Sequence, residues 1–529
     1  MDEKAITNRI QLDERNVKQI RNVGLWIIIL LVVYYSLSIS QVNFYNLFSG
    51  LGYTATLLGK MYPPDTKYAD LSLWLSLSVE TIAMGVVGTI LGFILSFPVC
   101  FLAARNTTTG PIAYYITRSV VTFFRTFPDF VLALIFIVSF GMGPVPGILC
   151  LTLGTFGMLT KFYSEALESI DPKPVEALTA TGSHKLGVIR HAVLPQVIPV
   201  FMSYTLYMVD SNIRTAMMLG IFGAGGLGIE LYLHMEELHY TRVATILFMI
   251  VIMVALINRT SARMRKGIID GDIFRGSRRR LDILIVLVSS IIAVISVYYM
   301  LIGINYTLLI GGISNMISLI PLFWPPDFSN LNLYITLMIQ SIAMAIAGTA
   351  IAILLALPLG MLMARNLMKN KIVSNVVREC ANLLRAIPEV MTALLFVAAV
   401  GMGPFAGVLA IALHTAGVLG EFYAGAFENM DPKPIEAVEA TGATFIQRVR
   451  HVIIPQITPL FISNNLYILD RNIRASSILG MVGAGGVGFL LIESFDLFYF
   501  KQGVAIIIVM IVTIFVADML SAYIRRKIV

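Results

Sequence analysis

Long apolar stretches recur along the chain and are separated by shorter polar segments. Within a stretch the apolar residues are continuous rather than alternating, which indicates helices rather than half-buried strands. Stretches of this length can cross a bilayer, where the backbone must satisfy its own hydrogen bonds. The pattern predicts an all-α polytopic membrane protein with about twelve transmembrane helices, six per half: 24–40, 73–103, 119–140, 147–162, 193–220, 243–258, 281–302, 333–363, 381–400, 405–420, 453–480 and 503–522.

The composition agrees with a membrane protein. Of 529 residues, 57% are hydrophobic and 13% are charged, whereas a soluble domain carries about 25% charged residues. The three cysteines lie in apolar stretches, so we expect small core residues rather than a disulfide framework. The polar first 23 residues contain no cleavage signature, so we expect the first helix to act as an uncleaved anchor.

The sequence contains an internal duplication. Residues 171–199 and 431–459 are identical at 14 of 29 positions, at an offset of 260 residues. The same offset relates GAGGLG at 223–228 to GAGGVG at 483–488. The duplication divides the chain into a first membrane unit, a basic linker and a second membrane unit: 1–258, 259–280 and 281–529.

The distribution of basic residues predicts the orientation in the membrane. The linker 259–280 carries eight basic residues against two aspartates, whereas 303–332 contains no lysine or arginine. We therefore expect the linker and both termini in the cytoplasm, and two parallel repeats related by an axis along the membrane normal. The linker could instead bind nucleic acid or anionic lipid, but a solvated cytoplasmic loop accounts for its charge more simply.

The loop between the predicted fourth and fifth helices carries the same motif in both halves. Glu176-Ala177-Leu178 is followed by Gly182 and then by Leu194-Pro195, and the second copy keeps this spacing. The pattern resembles the EAA signature of permeases of ATP-binding-cassette (ABC) importers. The resemblance implies a type I ABC importer permease fold and a short cytoplasmic helix that couples to the ATPase through these residues: Glu176, Ala177, Gly182, Glu436, Ala437 and Gly442.

The residues of this loop also suit a short exposed helix. Asp171 and Pro172 favour a helix start, and we expect Glu176 in the first turn, where the helix dipole favours an anion. Gly182 either ends that helix or permits close approach of another backbone. An ordinary amphipathic loop helix is the alternative, and its repetition at matched positions argues against it.

The GAGG segments fit the G-x-G-x-x-G pattern of dinucleotide sites. We reject that function because each segment follows a membrane helix rather than a strand, and no acidic residue occurs about twenty positions later. We expect the glycines to allow close packing or a non-helical break at the end of the fifth helix.

Two charged pairs lie within or beside the predicted fifth helices. A charge at mid-bilayer costs about 2.5–3.5 kcal/mol on insertion scales, and an aspartate can pair with an arginine four residues later. Pairing alone explains these charges. The alternative is a central pathway in which arginine and asparagine side chains attract an anion. The aspartates are Asp210 and Asp470, and the proposed pathway residues are Arg214, Arg474, Asn212 and Asn472.

Several motifs together resemble a narrower group, the phosphonate-type permeases. The group is indicated by DPKP-x-EA-x-x-ATG, PQ-x-x-P, NIR and GAGG-x-G, which both halves contain. Members usually have about half this length and work in pairs, so the chain looks like two such subunits in one polypeptide. The second half matches more closely, whereas 215–218 departs from the pattern and puts strict equivalence of the halves in doubt.

Other candidates for chemistry are weaker. We interpret Arg125 with Pro128-Asp129, and their second-half counterparts, as an interfacial kink with a polar anchor. The residues His234, Glu236, Glu237 and His239 could suggest a metal, but two histidines five residues apart do not share a helical face, so we expect no metal site. No G-x-x-x-x-G-K-[ST] occurs, so ATP must be hydrolysed by a partner.

These observations favour a transport protein rather than an enzyme. We expect the permease subunit of an ABC importer that moves a small oxyanion, such as phosphonate or phosphite, inward across the cytoplasmic membrane by alternating access. The expected partners are two cytoplasmic ATPase subunits, which hold ATP and magnesium, and an extracytoplasmic binding protein; nucleic acid is not expected. The alternatives are an ABC permease for another solute, or a secondary transporter with 6+6 parallel repeats, which would need no coupling helix.

Overall fold

The computed structural model describes residue 24 and residues 27–42, 44–269, 291, 292, 294–298, 306–368 and 370–528. The described part of the chain is helical and contains two similar halves. The first half contains α1 (Ile27–Ile39), α2 (Phe44–Lys60), α3 (Tyr68–Ala103), α4 (Pro111–Thr126), α5 (Asp129–Phe140), α6 (Pro144–Glu168), α7 (Pro172–Ala180), α8 (Leu194–Leu219), α9 (Leu227–Glu236) and α10 (Tyr240–Ile269).

The second half repeats this order. It contains α11 (Tyr306–Phe323), α12 (Leu331–Met363), α13 (Lys371–Ala386), α14 (Glu389–Val400), α15 (Pro404–Glu428), α16 (Pro432–Ala440), α17 (Ile454–Leu479), α18 (Val487–Asp496) and α19 (Phe500–Ile528). Among the described residues, eight helices are long and apolar enough to cross a membrane, or ten if each of two bent pairs counts as one span. The predicted helix 281–302 lies largely outside the described residues.

The predicted third helix of each half is wrong as a single rod. In place of 119–140, α4 and α5 meet at an angle of 84°, and in place of 381–400, α13 and α14 meet at 85°. The residue before a proline is disfavoured in the helical region, and proline itself lacks an N–H. Phe127 and Pro128 accordingly have extended backbone angles. The kink that the sequence suggested is therefore a right-angled break.

Other differences concern helix ends and additional helices. The fourth and sixth helices are longer than predicted in both halves, because they continue into polar residues beyond the apolar runs. Four further helices were not predicted at all: α2, α9, α11 and α18. Of the predicted linker 259–280, residues 259–269 continue α10, and 270–280 lie outside the described residues.

The core of each half forms where α3 and α6, or α12 and α15, pack side by side. Gly92 allows the close approach in the first half, since a Cβ there would lie 2.5 Å from the Cβ of Thr155. Without a hydrophobic driving force between helices in lipid, such small residues provide the packing contacts. The two halves are joined by α2 against α14, α5 against α11, α10 against α13, and α4 against α19.

Candidate coupling helices and central charged layer

The two EAA loops form matching helices, α7 and α16, at one end of the bundle. All nine residues of each helix are exposed or half-buried. Each begins with an aspartate cap, in which Asp171 or Asp431 accepts a hydrogen bond of 3.0 Å from the backbone N–H two residues later. Each loop therefore exposes a polar helix at this end of the bundle, where a partner protein can contact it.

The glutamate of the motif does not lie where the sequence analysis put it. Since α7 begins at Pro172, Glu176 falls in the second turn, and no acidic residue occupies the first turn. The favourable interaction with the helix dipole therefore belongs to the cap, Asp171. Glu176 and its counterpart Glu436 are exposed, so their carboxylates are available to a partner.

Both motif glycines adopt a left-handed backbone conformation just after the helix. The φ angle is +78° at Gly182 and +80° at Gly442, where L side chains are strained. Gly182 N–H donates to the carbonyl of Thr179 at 3.0 Å, and Gly442 N–H donates to that of Glu439 at 2.9 Å. A Cβ at either glycine would meet no heavy atom of the described chain within 4 Å. The glycines thus end the helices, and the space above them is open.

A carboxylate latch that the sequence analysis missed lies just before α7 and α16. Glu168, at the end of α6, accepts from the backbone N–H of Arg105 at 2.9 Å and pairs with Arg118 at 3.1 Å. Glu428 repeats this with Arg365 at 3.0 Å and Arg378 at 2.8 Å. The latch joins the end of α3 and the middle of α4 to the end of α6, just before α7 starts. Its only signal in the sequence was its recurrence at the offset of 260.

The GAGG segments interrupt the helix, as expected. Gly225 and Gly226 have positive φ angles of +81° and +74°. The backbone N–H of Gly226 donates to Glu80 at 2.9 Å, and that of Leu227 donates to Thr81 at 2.9 Å. Side chains of α3 therefore cap the first turn of α9. Gln340 and Ser341 perform the same role in the second half.

The charged pairs in α8 and α17 are formed. Arg214 donates to Asp210 at 2.9 Å and Arg474 donates to Asp470 at 2.8 Å. The aspartate side chains are 8% and 5% exposed, while the arginine side chains are 29% and 35% exposed. Arg214 also donates to Asn258 at 2.9 Å. Each guanidinium is therefore bonded to an aspartate, and its side chain remains partly exposed.

The asparagines predicted to lie on the pathway are buried instead. Asn212 donates through its amide to Thr89 at 2.8 Å and to Thr155 at 2.6 Å. Asn472 donates to Thr349 at 2.8 Å and accepts from Thr415 at 3.2 Å. Both side chains tie three helices together, so in this conformation their amide protons face threonine hydroxyls rather than a solute. The arrangement argues against a solute-binding role for either.

Further charges join the two halves near the bent helices. Arg125 of α4 pairs with Asp518 of α19 at 3.6 Å, so the polar anchor at the kink is an ion pair between halves. Arg385, its counterpart, contacts Glu421 and lies within electrostatic range of Arg214. The layer between the halves therefore contains several arginines, each with a carboxylate nearby.

This layer is not symmetric. In the second half Glu389 contacts Arg471 and lies 3.1 Å from His414. The first-half counterparts at an offset of 260 are Asp129, Ser211 and Gly154, which cannot form the same triad. The departure at 215–218, by contrast, concerns side chains that mostly pack into the interior, such as Ala216 and Met217.

The structure also brings together the histidines that the sequence analysis had separated. The argument that His234 and His239 do not share a helical face holds only within one helix, and α9 ends at Glu236. The chain then turns at Leu238, where φ is +59°. Ligand atoms of His234, Glu237 and His239 all lie within 4.8 Å of one another. Hydrogen bonding to His234, and also to His239, holds the pKa of Glu237 below its ordinary value.

Both halves of the chain are similar to one family of transport proteins. Residues 88–269 and 356–529 each match the family described as binding-protein-dependent transport system inner membrane component. A phosphate-import permease protein, PhnE, of Mycolicibacterium smegmatis is 36% identical over 91% of this chain and 90% of its own length. A phosphite transport system permease protein, PtxC, of Stutzerimonas stutzeri is 40% identical over 42% of this chain and 80% of its own.

Among solved structures, the MetNI methionine ABC transporter in an inward-facing conformation matches 38% of this chain and 99% of its own, with 26% identity and a TM-score of 0.35. The family match and the relatives of similar sequence define a class, the multi-pass inner-membrane permeases of ABC importers, whose members work with an ATPase and a binding protein. The chain belongs to the family of binding-protein-dependent transport system inner membrane components, as a phosphonate-type permease with two units fused in one polypeptide.

Proposed function

We propose that this chain conducts a small phosphorus oxyanion inward by alternating access, driven by two ATPase subunits that dock on α7 and α16. The observation that carries the proposal is the matched pair of exposed, glycine-ended helices at one end of the bundle. One polypeptide with two docking helices has a place for two ATPase subunits. ATP and magnesium are held by those subunits, and a binding protein delivers the solute to the opposite end.

The substrate class rests on two supports. Relatives are named for the import of phosphate and phosphite, and the layer between the halves contains arginines that remain partly open. A guanidinium offers two parallel hydrogen bonds to an oxyanion, whereas a lysine offers a point charge. A pathway must also release its solute, so we expect a weak site.

Uptake by reconstituted vesicles tests the proposal. The chain, assembled with its cognate ATPase and binding protein, should import at least one of phosphate, phosphite and methylphosphonate when ATP is supplied. It should not import D-methionine, which serves as a solute of different chemistry. Import of D-methionine alone would leave the ABC role intact and refute the oxyanion. Import that follows an ion gradient without the ATPase would refute the ABC mechanism for this chain.

Cysteine labelling tests the orientation. The exposed native Cys380 is first replaced by serine, since the other two cysteines are buried. A membrane-impermeant maleimide added to intact cells should then label Ser329→Cys and leave Glu436→Cys unlabelled until the membrane is opened. Both positions are exposed, so a difference reports the side of the membrane. Labelling of Glu436→Cys in intact cells would reverse the proposed topology.

A further inference from the structure

The turn between α9 and α10 carries three potential metal ligands with no assigned role. The Nδ1 atom of His239 lies 3.0 Å from Oε2 of Glu237, and the Nδ1 atom of His234 lies 3.3 Å from the same oxygen. His234 is buried, whereas the other two side chains are about half exposed. The three groups thus converge at a surface that solvent ions can reach.

The spacing of these atoms suits a small tetrahedral cation. Zinc binds histidine nitrogen at about 2.0–2.1 Å and carboxylate oxygen at about 2.0–2.2 Å, in tetrahedral geometry. Ligands at those distances are separated from one another by roughly 3.3–3.4 Å. The two nitrogen–oxygen separations in the turn are close to this value, and all three ligand atoms lie within 4.8 Å of one another, so a cation fits once the side chains adjust around it.

A second carboxylate orients the buried histidine. The Nε2 atom of His234 lies 3.5 Å from Oε2 of Glu230, one turn earlier on α9. The imidazole also packs edge-on against Trp74, with ring centroids 6.0 Å apart. Histidine ligands commonly donate their second N–H to a carboxylate, which fixes the ring with its other nitrogen toward the metal. In His234 the nitrogen near Glu230 is Nε2, and the other nitrogen, Nδ1, faces Glu237 of the cluster.

The duplication indicates that the fold does not require these residues. The second half makes the same turn, with φ of +60° at Phe498 and a hydrogen bond of 2.7 Å from Tyr499 N–H to the Ser494 carbonyl. The corresponding bond from His239 to His234 is 2.9 Å. The ligand positions are occupied in the second half by residues that form no such cluster: Ser494, Leu497 and Tyr499.

We propose that His234, Glu237 and His239 bind one Zn²⁺ ion per chain, with water in the fourth position and Glu230 as the carboxylate that orients His234. The site lies at the end of the bundle opposite the coupling helices, because Asp65, just before α3, bonds to Thr241 at the start of α10, whereas α3 ends beside the Glu168 latch. Metal binding does not depend on the transport function proposed above.

Metal titration of the full-length chain tests the site. The protein is purified in detergent with a tag that contains no histidine, and Zn²⁺ is titrated in competition with a chromophoric chelator. We expect one equivalent to bind, and Co²⁺ to give the intense absorption of tetrahedral coordination. Glu230→Gln should weaken binding by about 10–100-fold, as loss of an orienting partner does, while the tetrahedral Co²⁺ spectrum remains.

The second half supplies a matched variant. His234→Ser, Glu237→Leu and His239→Tyr together introduce the residues that already occupy the same turn, so the variant should fold, as unchanged thermal unfolding would verify. It should lose the Zn²⁺ equivalent, whereas His191→Ala with His451→Ala, at the other end of the bundle, should retain it. The proposal fails if the folded triple variant still binds one equivalent, if the wild type binds none, or if Co²⁺ gives only an octahedral spectrum.

Discussion

Replacing the two glycines that end α7 and α16 with valine is expected to abolish transport while the chain still inserts and folds. Gly182 and Gly442 have φ angles of +78° and +80°, a conformation that costs an L residue about 1–2 kcal/mol. Two such substitutions lower the fraction of molecules with both helices correctly ended by roughly 30-fold or more. Because the space around both glycines is open, the rest of the bundle should keep its thermal stability.

A matched pair of asparagine substitutions separates the two reasons for glycine. Asparagine adopts the left-handed conformation more readily than other side chains, so Gly182→Asn with Gly442→Asn should retain most transport if glycine serves only to end the helices. If the ATPase backbone must approach the glycine closely, the asparagine chain should fail as the valine chain does. Copurification of the ATPase distinguishes loss of docking from loss of coupling.

The assignment is contradicted by one clear outcome. If the valine chain still binds the ATPase and supports solute-stimulated ATP hydrolysis at the normal rate, α7 and α16 are not the coupling helices. A chain that fails to insert would report on folding instead, and the exposed position of both loops makes that outcome unexpected. Detergent-solubilised yield and melting temperature check this point.

Removing the charge of the second-half pair is expected to lower transport more than it lowers stability. Arg474→Ala alone is a poor test, because it leaves the buried Asp470 without its partner, and breaking a buried pair costs about 3–5 kcal/mol. The double variant Asp470→Asn with Arg474→Gln keeps hydrogen-bonding groups and removes both charges. Neutralising both members of the pair avoids the cost of leaving one buried charge uncompensated.

The expected size of the transport defect follows from the hydrogen bonds to the anion. Hydrogen bonds that involve a charged group contribute about 1.5–3 kcal/mol, which corresponds to roughly a 10- to 150-fold effect. We expect oxyanion uptake by the neutral pair to fall within that range, with unchanged expression and ATPase docking. Arg474→Lys should fall between the neutral pair and the wild type, because it keeps the charge without the planar fork.

The first half provides the internal comparison. Asp210→Asn with Arg214→Gln removes the corresponding charges, and Asn258 remains as a third polar group beside them. A larger defect in one half than in the other would measure how unequally the halves line the pathway. If both neutral pairs transport at the wild-type rate, the arginines are structural, and the oxyanion proposal rests on the named relatives alone.

Much of the architecture was predictable because it depends on local patterns. Continuous apolar stretches specify membrane helices, since every backbone group must be satisfied within the segment. The duplication, the EAA loops and the GAGG breaks are visible as repeated letters at a fixed offset, and the family match to both halves confirms the repeated permease unit. The aspartate cap and the left-handed glycine follow from residue type, and α7 has both.

The features that were misplaced or missed depend on the exact ends of helices or on contacts between residues far apart in the sequence. Glu176 was expected in the first turn of α7 but lies in the second, because the sequence pattern does not locate the first residue of this helix. The bend at Pro128 was expected as a kink, but its angle of 84° goes with contacts that the local pattern does not contain, since α4 and α5 both pack on α6 and α5 also packs on α11. The Glu168 latch joins positions 50 to 63 residues apart, so no local pattern contains it.

The sequence by itself determined the membrane helices, their duplication and the two EAA loops, because these follow from hydrophobicity, backbone preference and repetition along one chain. Only the tertiary structure decided which polar groups face one another. It buried Asn212 and Asn472 against threonines, joined Arg125 to Asp518 across the halves, and gathered His234, Glu237 and His239 around one turn. The physical reason is that a polar side chain in a membrane protein must find a partner, and that partner usually lies on another helix at a distance in the sequence that no periodicity encodes.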